Sequence, residues 1–194
     1  MDLQKINLKF FVADPDGISL TAFVPIFHTW IQASDGEYHD VADYSHMHAG
    51  PGIILVAHEA NLSIENSGNR LGLLYNRKQP LQGTNGEKLR WVVKTTLEYC
   101  RKIEEEPSLQ GRFKFSGDEA LFQINDRLLA PNEEETFYAV KSDLESLGHR
   151  LFGGAEFTLQ HEADPQQRFA VRLKSAAKFD VVTLLKNFGD VVDS

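Results

Sequence analysis

Histidine and carboxylate residues are concentrated in the first third of this 194-residue chain. Five of the seven histidines lie between residues 28 and 58. The segment 39–59 carries the densest group, which consists of His39, Asp40, Asp43, His46, His48, His58 and Glu59. Imidazole and carboxylate groups are the common ligands of zinc and iron and the common groups of general acid–base catalysis. We therefore expect any chemistry of this protein to involve this segment.

A metal-dependent enzyme, either a hydrolase or an oxygenase, is one function that this segment could support. The ligands of its zinc or iron ion would be three histidines, namely His46, His48 and His58. Asp43 or Glu59 would act as a further ligand or as the general base, and Tyr44 would be an orienting hydroxyl. Because no His-Glu-x-x-His motif is present, the alternative is that these are polar loop residues next to the turn at residues 50–52.

Several other classes of site lack their sequence motifs. The chain has neither a Gly-x-Gly-x-x-Gly dinucleotide motif nor a Gly-x-x-x-x-Gly-Lys-Ser/Thr phosphate loop. It also lacks the Gly-x-Ser-x-Gly elbow of serine hydrolases. Cys100 is the only cysteine, so an intrachain disulfide is excluded, and its apolar neighbours predict a packed helical residue.

The charge distribution limits the partners and the compartment. A formal net charge of −8 argues against nucleic-acid binding, which needs a basic surface. Residues 70–114 are nevertheless basic, with ten Lys or Arg against five Glu, and are either solvated faces or a local patch for an anion. No apolar run is long enough to cross a bilayer and the N-terminus lacks a signal-peptide pattern, so we expect no membrane association and a cytoplasmic location.

Hydrophobic periodicity and turn residues predict both strands and helices. The predicted strands are residues 3–12, 53–65, 71–77, 112–115, 120–125, 156–162 and 169–174, with a hairpin turn at 116–118. The predicted helices are residues 19–31, 87–106, 132–151 and 180–188, of which the third begins at an Asn132 cap.

This element order predicts an α+β fold, in which an antiparallel sheet carries helices on one face. Strand-helix-strand-strand-helix occurs twice, which favours a duplicated ferredoxin-like (βαββα) arrangement with halves at 1–117 and 118–194 that could share one core. The His-Glu-Ala sequences at 58–60 and 161–163 support this internal duplication. A second self-alignment, which relates residues 85–94 to 132–141, favours successive ββα units instead.

Four stretches of the N-terminal third carry a family resemblance: residues 10–15, 23–32, 40–46 and 50–59. They resemble an uncharacterised bacterial protein family with no assigned function, and the resemblance extends over most of the chain. The resemblance implies no activity.

The function that the sequence favours is a soluble α+β module that binds a small molecule or a protein partner. Proteins with one open sheet face often cover it with a ligand or with a second subunit, so a homodimer is a further expectation. The metal-dependent enzyme remains the alternative. The two hypotheses differ in whether the histidines converge or lie apart.

Overall fold

The computed structural model describes residues 1–47 and 50–189 of the chain. Within these residues, an eight-stranded antiparallel sheet has the strand order β2-β3-β4-β5-β1-β6-β8-β7. The strands are β1 (Ile6–Val12), β2 (Tyr38–Tyr44), β3 (Gly52–Ala57), β4 (Ala60–Glu65), β5 (Gly72–Arg77), β6 (Phe115–Ile124), β7 (Phe157–His161) and β8 (Ala170–Ser175). Strands β2 and β7 therefore form the two edges of the sheet.

Four α-helices accompany the sheet in the described part of the chain: α1 (Phe23–Ala33), α2 (Asn85–Glu104), α3 (Glu134–Leu151) and α4 (Val181–Phe188). Helix α2 begins with a capping box, in which Thr84 Oγ1 accepts from the Glu87 backbone N–H and Glu87 accepts from the Thr84 backbone N–H. Helix α4 is capped by Asp180, whose carboxylate accepts from the Thr183 backbone N–H at 2.7 Å. These side chains satisfy amide groups that a helix leaves unpaired at its start.

The two faces of the sheet differ in chemistry. Leu8 lies beside Tyr75 of β5 and Phe122 of β6 in register, and all three are buried on an apolar face. Helix α2 packs on this face through Trp91, whose ring centroid lies 6.2 Å from that of Tyr75. Most buried apolar residues of both halves of the chain belong to one hydrophobic cluster.

The opposite face of the sheet is polar and contains ion pairs. Lys9 of β1 pairs with Glu65 of β4, and each side chain is only 3% exposed. On β6, the carboxylate of Glu119 pairs with Arg70 and Arg172. Buried charges are normally paired in this way because an isolated buried charge is costly.

The α+β class predicted from the sequence is confirmed, but several details of the strand prediction are wrong. The predicted long strand 53–65 consists of two strands, β3 and β4, that reverse at His58 and Glu59. The predicted turn at residues 116–118 lies inside β6, which runs without a break from Phe115 to Ile124. The predicted division between residues 117 and 118 therefore falls within one strand.

Helix α2 buries the only cysteine of the chain. The Cys100 side chain is 0% exposed, and its burial raises the pKa of the thiol well above its ordinary value. Across residues 1–47 and 50–189, none of the helices combines the length and apolar character needed to span a membrane.

Candidate functional site

The structure separates the residues that the sequence singled out for metal binding. Asp43 and Tyr44 end β2, and His46 follows them in the connection to β3. His58 and Glu59 lie beyond the far end of β3, in the turn to β4. Because the six residues of β3 span about 20 Å, His46 and His58 lie at opposite ends of this strand.

His48 and Ala49 lie outside the described residues. At Asp43, Oδ1 accepts from the Ser45 backbone N–H at 2.8 Å and from the Ser45 hydroxyl at 2.6 Å, and these bonds lower the pKa of the Asp43 carboxyl. Among residues 1–47 and 50–189, no group of three or more His, Cys, Asp or Glu side chains is arranged to hold a metal ion. A zinc or iron site involving His48 stays a prediction, which elemental analysis of untagged protein would test.

His58 and Glu59 belong instead to a cavity of about 550 Å³ beside α2, hereafter the aromatic cavity. Its floor is the apolar face of the sheet, including Leu55 and Leu62, and its walls carry the aromatic side chains of Tyr38, Tyr75, Trp91 and Tyr99. Ligand sites in proteins are commonly cavities of this size, with apolar walls and a few well-placed polar groups.

One side of α2 provides a wall of this cavity. Trp91, Thr95 and Tyr99 are spaced at i, i+4 and i+8, so they form a row along the helix surface. The row lies beside the buried positions of the same helix, which include Val92 and Thr96. Trp91 remains 43% exposed, so part of its indole is accessible from solvent.

A chain of hydroxyl groups lies at the Tyr38 side of the aromatic cavity. The Tyr99 hydroxyl donates to Glu37 Oε1 at 3.0 Å, and the Tyr38 and Tyr99 hydroxyl oxygens are 3.1 Å apart. Because the Tyr99 proton is directed at Glu37, the Tyr38 hydroxyl donates to Tyr99. Burial raises the pKa of Tyr38 to about 12 and also raises the pKa of Tyr99, so both hydroxyls stay protonated at neutral pH.

Arg77 supplies a buried positive charge to the cavity. Its Nε donates to the Gln79 carbonyl at 2.7 Å, and its guanidinium lies 4.8 Å from the centroid of the Trp91 ring. The guanidinium pairs with Glu59, and the Arg77 side chain is 6% exposed whereas that of Glu59 is 59% exposed. Burial also raises the pKa of the nearby Tyr75 to about 12.

Sequence reasoning singled out His58 and Glu59 and included Arg77 only in the basic region 70–114 that could attract an anion, but it missed the aromatic residues. The aromatic residues are spread from residue 38 to residue 99 and converge only after strands β2 to β5 and α2 have assembled. A signal was nevertheless present, since Trp91, Thr95 and Tyr99 form a second row beside the apolar face of α2.

The fold and this cavity define an α+β protein with an aromatic-walled, arginine-containing pocket on the apolar face of an eight-stranded sheet. Comparisons with protein-family models, with curated proteins and with solved structures find no match for this chain.

Proposed function

We propose that this protein binds a small, flat organic acid in the aromatic cavity. The observation that carries this proposal is the Arg77 guanidinium, which lies under the Trp91 ring where a mostly apolar ligand would fit. A guanidinium presents two parallel N–H groups that match the two oxygens of a carboxylate.

The remaining walls favour an aromatic or conjugated ligand body. Offset or edge-to-face contacts between rings add to the stabilisation that apolar burial provides. The rings of Trp91, Tyr75 and Tyr99 would supply such contacts on several sides. The hydroxyls of Tyr38 and Tyr99 would give polar substituents of the ligand hydrogen-bonding partners.

In this proposal Glu59 acts as a replaceable partner of Arg77. Its side chain is more than half exposed and belongs to a turn, so it can rotate into solvent without leaving a buried carboxylate behind. A ligand carboxylate would then take its place on the guanidinium, which remains paired in both states.

Fluorescence titration with 1-anilinonaphthalene-8-sulfonate, an aromatic anion, tests the proposal, and displacement by aromatic carboxylates then identifies the ligand class. We expect saturable binding of one probe per chain. Thr95→Trp should weaken this binding at least tenfold because the indole fills the cavity. Lys94→Trp places the same side chain on the exposed surface of α2 and should leave binding unchanged. Equal binding by both variants would contradict the proposal.

We further propose that the helices cover one face of the sheet and that the chain is a duplicated ferredoxin-like arrangement. The stacking of Phe137 of α3 on His161 of β7, at 5.4 Å between centroids, adds a second helix contact with the apolar face. In each half, the first strand pairs with the last strand before the final helix, as β1 with β5 and β6 with β8. We also propose that the protein is cytoplasmic and that it forms a homodimer, as the sequence predicts.

A further inference from the structure

We propose that the polar face of the sheet carries a second binding site, for a small multivalent oxyanion. A basin of about 800 Å³ lies on this face, opposite the aromatic cavity. Five cationic side chains line it: Lys9, Arg70, Arg127, Arg168 and Arg172. Three carboxylates line it as well: Glu65, Glu162 and Asp164. We call this region the cationic basin.

The carboxylates of the basin are already occupied by partners within the protein. Glu65 pairs with Lys9, and Glu162 accepts from Arg172 Nε at 2.7 Å. Asp164 accepts from the Gln166 backbone N–H at 2.9 Å, within its own loop. Glu65 and Glu162 therefore balance charges of the basin floor, whereas Asp164 keeps its own negative charge. The five cationic side chains still outnumber the three carboxylates that line the basin together with Glu119 beneath it.

Two arginines at the rim have no carboxylate partner in the described part of the chain. Arg127 donates to the Gln166 carbonyl at 2.6 Å, which leaves its positive charge uncompensated, and Arg168 forms no ion pair with a described carboxylate. Both side chains are exposed and line the basin. A local excess of positive charge in a protein of net charge −8 marks a place where an anion is attracted.

The floor of the basin holds its cations in place. The Arg70 guanidinium lies 3.8 Å from the centroid of the Phe11 ring, and Arg172 lies 5.8 Å from the same centroid. Beneath them Glu119, which is 3% exposed, pairs with both arginines. Lys9 Nζ donates to the Arg70 carbonyl at 2.6 Å. A ligand would therefore meet preorganised donors, which reduces the entropy cost of binding.

The polar face also has hydrogen-bonding capacity that the protein leaves unused. Asn7 is fully buried beside Gln123, a residue that lines the basin. Both the Nδ2 and the Oδ1 of Asn7 lack a partner among the described residues. Buried amides are normally hydrogen-bonded, and Asn7 has no exposed surface and does not line the basin, so an internal water rather than the ligand would satisfy its amide.

The size and charge of the basin favour a small oxyanion over a polymer. A nucleic acid would extend over the surrounding surface, and a protein of net charge −8 repels such a polyanion. A phosphorylated or polycarboxylate metabolite fits within 800 Å³ and matches the fork geometry of arginine. Phosphorylated metabolites and polycarboxylates share one property, which is that a single small molecule carries two or more oxyanion groups.

Isothermal titration calorimetry with two probes, pyrophosphate and citrate, tests this proposal at a constant ionic strength set with sodium chloride. The variant Arg127→Gln/Arg168→Gln removes both rim charges without disturbing a buried ion pair. We expect it to weaken binding by roughly tenfold or more, since each lost bond is assisted by charge. Arg101→Gln/Lys94→Gln removes two exposed charges of α2 outside the basin and should change the affinity by less than about twofold.

Each outcome of the titrations has a definite meaning. Binding of pyrophosphate alone assigns the site to phosphorylated ligands, and binding of citrate alone assigns it to polycarboxylates. If the wild-type protein binds neither probe at millimolar concentration, or if both double variants lose affinity equally, the proposal is overturned. The cavity-filling variant Thr95→Trp should bind the oxyanion normally, so this site and the aromatic cavity are tested separately.

Discussion

The Arg77–Glu59 pair joins one buried and one exposed side chain, so its two members have different roles. The guanidinium contacts the Gln79 carbonyl and the Trp91 ring, whereas the carboxylate is mostly exposed in its turn. A pair between two exposed side chains contributes only about 0.2–1 kcal/mol, and in this pair Glu59 meets that condition whereas Arg77 is buried and needs a negative partner. Glu59 is therefore a weak competitor for Arg77, and a ligand can replace it at little cost.

Replacement of Glu59 should strengthen ligand binding. Glu59→Gln removes the competing carboxylate, and we expect the affinity for aromatic carboxylates to rise by roughly threefold, in line with a weak partly exposed pair. Competition against 1-anilinonaphthalene-8-sulfonate fluorescence measures this change. Glu135→Gln, an exposed substitution in the first turn of α3, is the control and should not change the affinity. A loss of affinity in Glu59→Gln would mean that Glu59 contacts the ligand directly.

The stabilisation that Glu119 provides should depend on pH. Burial alone would raise the pKa of Glu119, but the hydrogen bonds from Arg70 and Arg172 outweigh it and hold this pKa below its ordinary value of 4.5. A carboxyl with a lowered folded-state pKa stabilises the protein above its unfolded-state pKa. This stabilisation is lost as the pH falls through the folded-state value.

Urea unfolding of Glu119→Gln at several pH values tests this dependence. At pH 7 we expect the free energy of unfolding to fall by about 3 kcal/mol, because two arginines lose a buried partner. The difference from wild type should shrink as the pH falls below about 4.5, where the carboxyl of the unfolded chain takes up protons, and should be lost once the pH falls through the lower folded-state pKa. The control is Glu145→Gln. Glu145 forms an exposed ion pair with Lys141, in which Oε1 and Nζ are 3.7 Å apart, so its loss should have little effect at any pH.

At the scale of elements, the sequence located the helices better than the strands. Helices α2 and α4 lie within two residues of their predicted starts at 87 and 180. Asn132 is not the cap of α3, which begins after Glu133; its amide instead donates to the Glu162 and Asp164 carbonyls. An asparagine before a helix has several possible partners, and only the folded chain selects one of them.

The strand errors have a common physical origin. Strand β2 was not predicted because it is an edge strand with polar residues such as His39 and Asp40, which lack the apolar alternation of a buried strand. Residues 53–57 are continuously apolar and residues 60–65 alternate between apolar and polar, and the reversal at His58 and Glu59 between them lacks glycine or proline. The aromatic cavity was hidden for a related reason, since its walls come from separate elements.

We expect the capping box of α2 to stabilise both the first turn of this helix and the N-terminal segment that is hydrogen-bonded to it. Asn85, the next residue, accepts from the Leu3 backbone N–H at 2.9 Å and so connects the helix start to the N-terminal segment. Thr84→Ala should lower the free energy of unfolding by about 1 kcal/mol in urea titrations. Thr84→Ser keeps the hydroxyl and should retain most of the wild-type stability. Equal losses in the two variants would show that the threonine methyl group, not the cap, is responsible.

At the scale of the whole molecule, the open edges of the sheet are a risk for association. Exposed edge strands present unpaired backbone groups that can pair with another chain, and charged side chains discourage such pairing. The β2 edge carries Asp40 and Asp43, and the other edge, β7, is only five residues long. Both features are ways in which proteins protect sheet edges.

Removal of the charges on β2 should promote association of the chain. Asp40→Val/Asp43→Asn leaves an uncharged edge, and we expect its mean mass in size-exclusion chromatography with light scattering to rise with protein concentration. Asp16→Val/Asp14→Asn makes the same changes in an exposed loop and should elute as the wild type does. If the mass of the β2 variant does not depend on concentration, these charges do not protect the edge.

The burial of Cys100 gives this molecule an intrinsic reporter of its own opening. A thiol with no exposed surface and a raised pKa reacts with a disulfide reagent only after the surrounding core has separated. When closing is faster than labelling, the ratio of the observed labelling rate to that of an unfolded chain equals the equilibrium population of the open state. The single thiol can therefore follow how ligands, pH or substitutions shift that population in unmodified protein, without denaturant.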